Sequence, residues 1–275
     1  MYINRIETEM KGKSVIITGG NKGIGRGCAE AFCEYGANVV IAARDKKAGR
    51  DTADELTRKT DGQCVFIECD MSDEQAVREM VEKTNSLFGR IDCLINNAGY
   101  LPLRRPLDLC SITDMENVFK TNVAGMFLAC KYALPYIRKI RGNIVNISSI
   151  LAHAGQEGSC LYTATKGAII SFTKSLAIDE VRHGVRVNAV LPGNITSEIG
   201  TKETQNTEYR LPVPDNFQVQ WIDRPGEPAE IGTACLFLAS SWASYISGAE
   251  ILIDGGFMLG NSGKIKMFDW SNIQQ

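Results

Sequence analysis

The 275-residue sequence predicts a single-domain α/β fold, a doubly wound parallel sheet of seven strands with helices on both faces. Three observations carry this expectation. Short apolar, β-branched runs alternate with longer amphipathic stretches along nearly the whole chain. The short runs are almost continuously apolar, as strands covered on both faces must be. The first of them runs straight into a glycine-rich turn that opens a helical pattern.

In chain order, a strand over Lys13–Thr18 leads into the helix Gly23–Tyr35, and Asn38–Arg44 into Lys46–Lys59. Cys64–Asp70 and Asp73–Phe88 repeat the pair. The strand Cys93–Asn97 precedes a long helical stretch from Ser111 to Arg138. Asn143–Ser148, the helix Ser159–Glu180, Arg186–Leu191, the helix Pro228–Ala239 and Glu250–Ile253 complete the alternation. One domain is expected over residues 1–275, with its core from about 10 to 260. Two segments break the rhythm. Residues from about 197 to 223 are polar and carry Pro212 and Pro214, a poor helix core and a candidate substrate-side lid. The tail 257–275 carries Phe268 and Trp270, which are costly to leave exposed and are expected to pack on the lid or on a partner subunit.

Composition excludes several classes. Thirty basic and 32 acidic residues give a net charge of −2, with 44% hydrophobic and 23% charged residues. A balance this near neutral, with a pI near 5.8, offers no electrostatic footprint for nucleic acid or an anionic membrane surface. The nine cysteines include no Cys-x-x-Cys pair, and His153 and His183 are the only histidines, so no metal site is expected. Scattered cysteines of odd number fit free thiols in a reducing compartment. The first residues lack an apolar signal segment, and no run approaches the roughly 20 apolar residues of a membrane span. A cytoplasmic location is the expectation.

Residues 18–25 read Thr-Gly-x-x-x-Gly-x-Gly, with Gly19, Gly23 and Gly25 in the turn. A pyrophosphate can approach such a backbone closely, and the helix that follows offers it unpaired N–H groups and a positive dipole end. Gly19, Lys22, Gly23, Ile24 and Gly25 are therefore candidate dinucleotide-binding residues. At the end of the second strand, where an acid would take the adenosine 2′-hydroxyl, the chain has Ala43 followed by Arg44. With Lys22 able to reach the same place, two cations and a missing acid favour NADP(H), and NAD(H) stays possible. Asp45 decides against this reading if it turns inward.

Tyr162 and Lys166 stand four apart in a helical pattern and so share a face. Ser149 lies thirteen residues before Tyr162 at a strand end, Asn97-Ala98-Gly99 ends the fourth strand, and Asn122 lies in the helix after it. Together and in this order, Thr18-Gly19, Gly23-x-Gly25, Asp70, Asn96-Asn97-Ala98-Gly99, Asn122, Ser149, Tyr162/Lys166 and Pro192-Gly193 resemble the short-chain dehydrogenase/reductase family over about residues 10 to 260.

The resemblance implies a Rossmann-like fold, a homotetramer or homodimer, a small-molecule alcohol or ketone substrate, and the catalytic set Asn122, Ser149, Tyr162 and Lys166. It implies that Asp70, with Met71 beside it, holds the adenine and Asn97 the adenosine side of the cofactor. The Ile195 backbone and Ser197 would hold the nicotinamide carboxamide, and the family usually has threonine at the second position. A free tyrosine titrates near 10, so an adjacent Lys166 ammonium and an oxidised nicotinamide would favour the phenolate. Tyr162 would then exchange a proton with the substrate oxygen while Ser149 hydrogen-bonds it. Lys166 would also hold the nicotinamide ribose, and Asn122 would place a water linking Lys166 to solvent.

Ser149, Tyr100, Leu101, His153 and Gln156 are the candidate substrate contacts. Phe88–Cys93, Ala133–Lys139, Gly155-Gln156 and Val187–Ile195 are most similar to hydroxysteroid dehydrogenases, which implies a steroid C17 position or a sugar such as fucose. Gly20-Asn21-Lys22-Gly23 and Ala43-Arg44-Asp45 are shared with carbonyl reductases. A 3-oxoacyl-thioester reductase and a non-catalytic dinucleotide-binding sensor are the alternatives.

Overall fold

A computed structural model describes residues 9–196 and 220–260. It contains one sheet of seven strands, β1 (Ser14–Thr18), β2 (Asn38–Ala43), β3 (Gln63–Glu68), β4 (Cys93–Asn96), β5 (Asn143–Ile147), β6 (Arg186–Pro192) and β7 (Glu250–Ile253). Their order is β3-β2-β1-β4-β5-β6-β7, and every pairing is parallel. The helices are α1 (Gly23–Glu34), α2 (Lys46–Lys59), α3 (Glu74–Phe88), α4 (Ile112–Phe119), α5 (Gly125–Lys139), α6 (Cys160–Glu180) and α7 (Pro228–Ala239). The predicted doubly wound fold is what forms. Among the described residues no helix is long and apolar enough to cross a membrane. Of the candidate lid, residues 197–219 lie outside the described residues, as do 261–275 of the tail with Phe268 and Trp270.

Side-chain alternation along the strands divides the core in two. Val15, Ile17, Val39, Ile41, Cys93 and Ile95 face α1, α2 and α7. Ile16, Val40, Leu94 and Ile144 face α3, α5 and α6. Cys64 and Cys69 fall in opposite layers, as the strand period requires, and all nine cysteines are free thiols. Local chemistry sets the helix starts: Asp45 caps α2 through the Ala48 N–H, Asp73 caps α3, and Ser111 with Asp114 forms a capping box on α4.

One expectation needs correction. The helical stretch from Ser111 to Arg138 is not continuous: between α4 and α5 the chain makes a π-helical turn, Lys120–Ala124. No proline or glycine breaks residues 111–124, so the sequence does not mark it, yet wide turns of this kind often mark functional sites.

The chain builds outward from β1 to β3, then returns to lay β4 against the other side of β1. The segments leaving the carboxyl ends of β1 and β4 therefore diverge and open a crevice, the place where open α/β sheets bind ligands. Helix α1 is seated there by an unusually close crossing with α7. A Cβ built on Gly27 would lie 2.3 Å from the carbonyl carbon of Pro228, and one on Gly232 would lie 2.3 Å from the Gly27 oxygen. Gly27→Ala is expected to cost about 1–3 kcal/mol by overpacking. Gly167→Ala, where the added methyl meets nothing within 4 Å, should be neutral or stabilising by up to about 1 kcal/mol. Thermal unfolding of the two variants beside wild type checks the contrast.

Candidate active site

Thr18, the last residue of β1, fastens the two sides of the crevice. Its Oγ1 accepts the N–H groups of Asn97 and Ala98, both at 3.0 Å. The Asn97 side-chain amide donates back to the Thr18 carbonyl at 2.9 Å and the Gly19 carbonyl at 3.3 Å. Gly19 turns at φ +67, which costs glycine nothing. A Cβ on Gly25 would sit 2.2 Å from the Gly19 oxygen and 2.5 Å from the Asn97 amide nitrogen. The amide donors of Asn97 are thus engaged by the glycine loop itself, and any contact with a nucleotide is left to the rest of that residue.

Whether a dinucleotide suits this loop is answered by α1. Its N-cap Lys22 makes no side-chain cap hydrogen bond, in contrast to α2, α3 and α4. The first-turn N–H groups and the positive dipole end of α1 fit a pyrophosphate. At the adenosine side, Asp45 does not turn inward: its carboxylate accepts the Ala48 N–H at 3.0 Å. Arg44 is exposed. Hydrogen bonds from Ser72, whose N–H lies 2.9 Å from Asp70 Oδ1, hold the Asp70 carboxyl below the usual carboxylate range against partial burial, with Arg44 and Lys120 adding to the effect. Met71 is buried next to Asp70. After β6, Ile195 pairs with Gly226 in an isolated bridge, while Ser197 lies outside the described residues.

The other candidate groups gather beyond β4 and β5. Lys166 is 4% exposed, and its ammonium donates to the Ile147 carbonyl at 3.0 Å. That nitrogen lies 5.3 Å from the centroid of the Tyr162 ring, as the spacing of four requires. Ser148 Oγ donates to the Lys166 carbonyl at 2.9 Å and ties α6 to the end of β5. Next to it, Ser149 accepts the Leu151 N–H at 3.1 Å, which leaves its own O–H to donate. A Cβ built on Gly99 would stand 3.6 Å from Asn122 Oδ1 and 3.9 Å from Lys166 Nζ, so the end of β4 reaches this group too. Asn122, in the π-helical turn and 1% exposed, holds the Tyr100 backbone at both ends: its oxygen accepts the N–H at 2.6 Å and its nitrogen donates to the carbonyl at 3.0 Å. Burial pushes Lys166 down to about 8.

The candidate substrate residues separate. Tyr100 and Leu101 stand in the loop after β4, with the Tyr100 ring exposed. Gln156 accepts from the Ser159 hydroxyl at 2.9 Å and closes the turn into α6. His153 is bound by Glu250, which also pairs with Lys174 at 2.6 Å, so the imidazole is tied to the flank of α6 and β7. Sequence reasoning passed over Ser148, Thr165 and the Ile147 carbonyl. Ser148 and Thr165 stood in view inside Asn143–Ser149 and Tyr162–Lys166, but spacing alone gives no sign of their hydrogen bonds.

The chain matches a family profile described as enoyl-(acyl carrier protein) reductase over residues 19–258. It is 41% identical over 254 residues to an L-fucose dehydrogenase of Bos taurus, covering 92% of each chain. It is 33% identical over 256 residues to glucose 1-dehydrogenase 2 of Bacillus subtilis, covering 91% of this chain and 96% of that one. It is 36% identical over 252 residues to a 3-oxoacyl-[acyl-carrier-protein] reductase of Chlamydia muridarum, covering 89% and 96%.

The depressed Lys166 has a sign-definite consequence. Between about pH 8 and 10.5 the unfolded lysine holds a proton that the folded one has released, so its cost to stability is full below pH 8 and fades as pH rises through that window. Lys166→Met should be more stable than wild type at pH 7, by at most roughly 3 kcal/mol, and that gap should shrink between pH 8 and 10.5. Urea denaturation at a series of pH values measures it; a gap independent of pH would refute the burial argument.

Proposed function

The chain belongs to the short-chain dehydrogenase/reductase family of oxidoreductases, and from that premise we propose that it transfers a hydride between NADP(H) and a secondary alcohol or ketone, with a sugar as the leading substrate class. The observation that carries the reading is the gathering of Ser149, Tyr162, Lys166 and Asn122 at the carboxyl ends of β4 and β5, beside the uncapped start of α1.

When bound, the nicotinamide ring supplies or accepts the hydride. The protein's part is protonic and electrostatic. Tyr162 gives a proton to the carbonyl oxygen in reduction or takes it from the alcohol in oxidation, and the Lys166 ammonium lowers the cost of the phenolate. Ser149 donates a hydrogen bond to the same oxygen, where charge develops. Of its three N–H bonds Lys166 uses one on Ile147, and the others suit the nicotinamide ribose hydroxyls. Gly19, Gly23, Ile24 and Gly25 receive the pyrophosphate, Asp70 and Met71 the adenine, and Ile195 and Ser197 the carboxamide. The engagement of Asp45 with α2 supports Arg44 and Lys22 as ligands of a 2′-phosphate.

The fucose and glucose dehydrogenases among the relatives support a sugar hydroxyl. A steroid secondary alcohol is the next class, on the likeness of Phe88–Cys93 and Val187–Ile195 to 17β-hydroxysteroid dehydrogenase type 14. The 3-oxoacyl reductase relative favours a second reading, reduction of a 3-oxoacyl thioester. A homotetramer or homodimer in the cytoplasm goes with either.

A panel of aldoses including L-fucose, hydroxysteroids and a 3-oxoacyl thioester, each with NADP(H) and NAD(H), is the decisive assay. Tyr162→Phe should lower turnover by about 10²–10⁴-fold while cofactor affinity stays within about twofold of wild type. Arg44→Ala should weaken NADPH at least about tenfold, the loss of one charge-assisted contact, and leave NADH unaffected. A wild type that binds NADH more tightly than NADPH would overturn the cofactor assignment.

A further inference from the structure

Thr165 is fully buried, and its hydroxyl donates to the main-chain carbonyl of Tyr162 at 2.7 Å. Having given its one proton there, Oγ1 is left to accept, and it takes an N–H from Asn122 Nδ2 at 3.1 Å. Both hydrogens of that amide are then used, on Tyr100 and Thr165, so the amide has one workable orientation, with Oδ1 toward the Tyr100 N–H. A flipped amide would set donor against donor at Tyr100. The result is a polarised string of hydrogen bonds running from the backbone of Tyr100 through Asn122 and Thr165 to the backbone of Tyr162.

We propose that Thr165 is a positioning residue: by fixing the Asn122 amide against the first turns of α6, it sets the gap between the substrate wall at Tyr100 and the proton-transferring Tyr162. This deepens the function proposed above and rests on its reading of Tyr162. The hydroxyl's hydrogen bonds run to Asn122 and to the Tyr162 carbonyl, so it acts through Asn122 and the helix backbone. Removing it leaves one N–H of a buried amide without a partner, a condition relieved only by rotating the amide and releasing Tyr100. The nearby Ser148 hydroxyl supplies no substitute, because it is committed to the Lys166 carbonyl.

The test uses Thr165→Val, which keeps shape and removes the hydroxyl, Thr165→Ser, which restores it, and Thr165→Ala in case valine prevents folding. Each is assayed for the pH profile of kcat and KM with a substrate that wild type turns over, for NADP+ affinity, and for amide exchange in residues 98–102. Thr165→Val is expected to lower kcat by about tenfold or more with cofactor affinity within about twofold, to move the apparent pKa of the rate profile, and to speed exchange at Tyr100. Thr165→Ser should return kcat to within about threefold of wild type. Thr165→Val with wild-type rate profile and exchange would overturn the proposal. So would a variant that merely melts earlier with its pH profile in place. If wild type turns over nothing in the substrate panel, the functional reading fails on its own, and unchanged or faster exchange at Tyr100 still decides what Thr165 holds.

Discussion

Everything at the crevice depends on the clasp between Thr18 and Asn97. The strands β1 and β4 are neighbours in the sheet but 75 or more residues apart in sequence, and their outgoing loops have no covalent reason to stay in register. One threonine hydroxyl accepting two backbone N–H groups, answered by one amide donating to two carbonyls, supplies that reason. Thr18 is buried and its partners half-buried, so the threonine hydroxyl would be expensive to leave unpaired. The glycine loop is shaped as much by the residue across the crevice as by its own glycines, since Gly25 is caught between the Gly19 oxygen and the Asn97 amide.

Beyond the clasp, the site is built by putting polar groups where they are costly. A lysine 4% exposed, an asparagine 1% exposed and a threonine with no exposure at all meet where the π-helical turn packs on the start of α6. Each is satisfied by main chain: Lys166 by Ile147, Asn122 by Tyr100, Thr165 by Tyr162. A group held by backbone has few rotamers open to it, which suits a centre where reacting atoms must stay aligned. The neighbouring layer is built likewise, with Asn96 donating to Asn146 and Asn146 to Thr173 across β4, β5 and α6.

Much of this was legible from the sequence. Strand limits fall within two residues of expectation because a buried parallel strand leaves an apolar run that polar helix starts such as Asp45 and Asp73 cut off sharply. That Tyr162 and Lys166 lie side by side was visible because a spacing of four on a helix is a geometric statement. What spacing does not carry is the direction of a side chain. Spacing gave no sign that Gln156 accepts from the Ser159 hydroxyl or that His153 meets the Glu250 carboxylate of β7. The π-helical turn was invisible for a different reason: no proline or glycine interrupts residues 111–124 to mark a change of winding.

The crossing of α1 and α7 has a meaning for how such a chain can change over time. With Gly27 seated on Pro228 and Gly232 on the Gly27 backbone, neither position has room for a side chain. The helix that begins at the glycine-rich turn and the helix entered from Gly226, which pairs with the segment leaving β6, are therefore locked together as a pair. A substitution at either glycine would press on both helices at once, so the two positions are coupled, and a change of sequence costs less in the loops around this pair than within it.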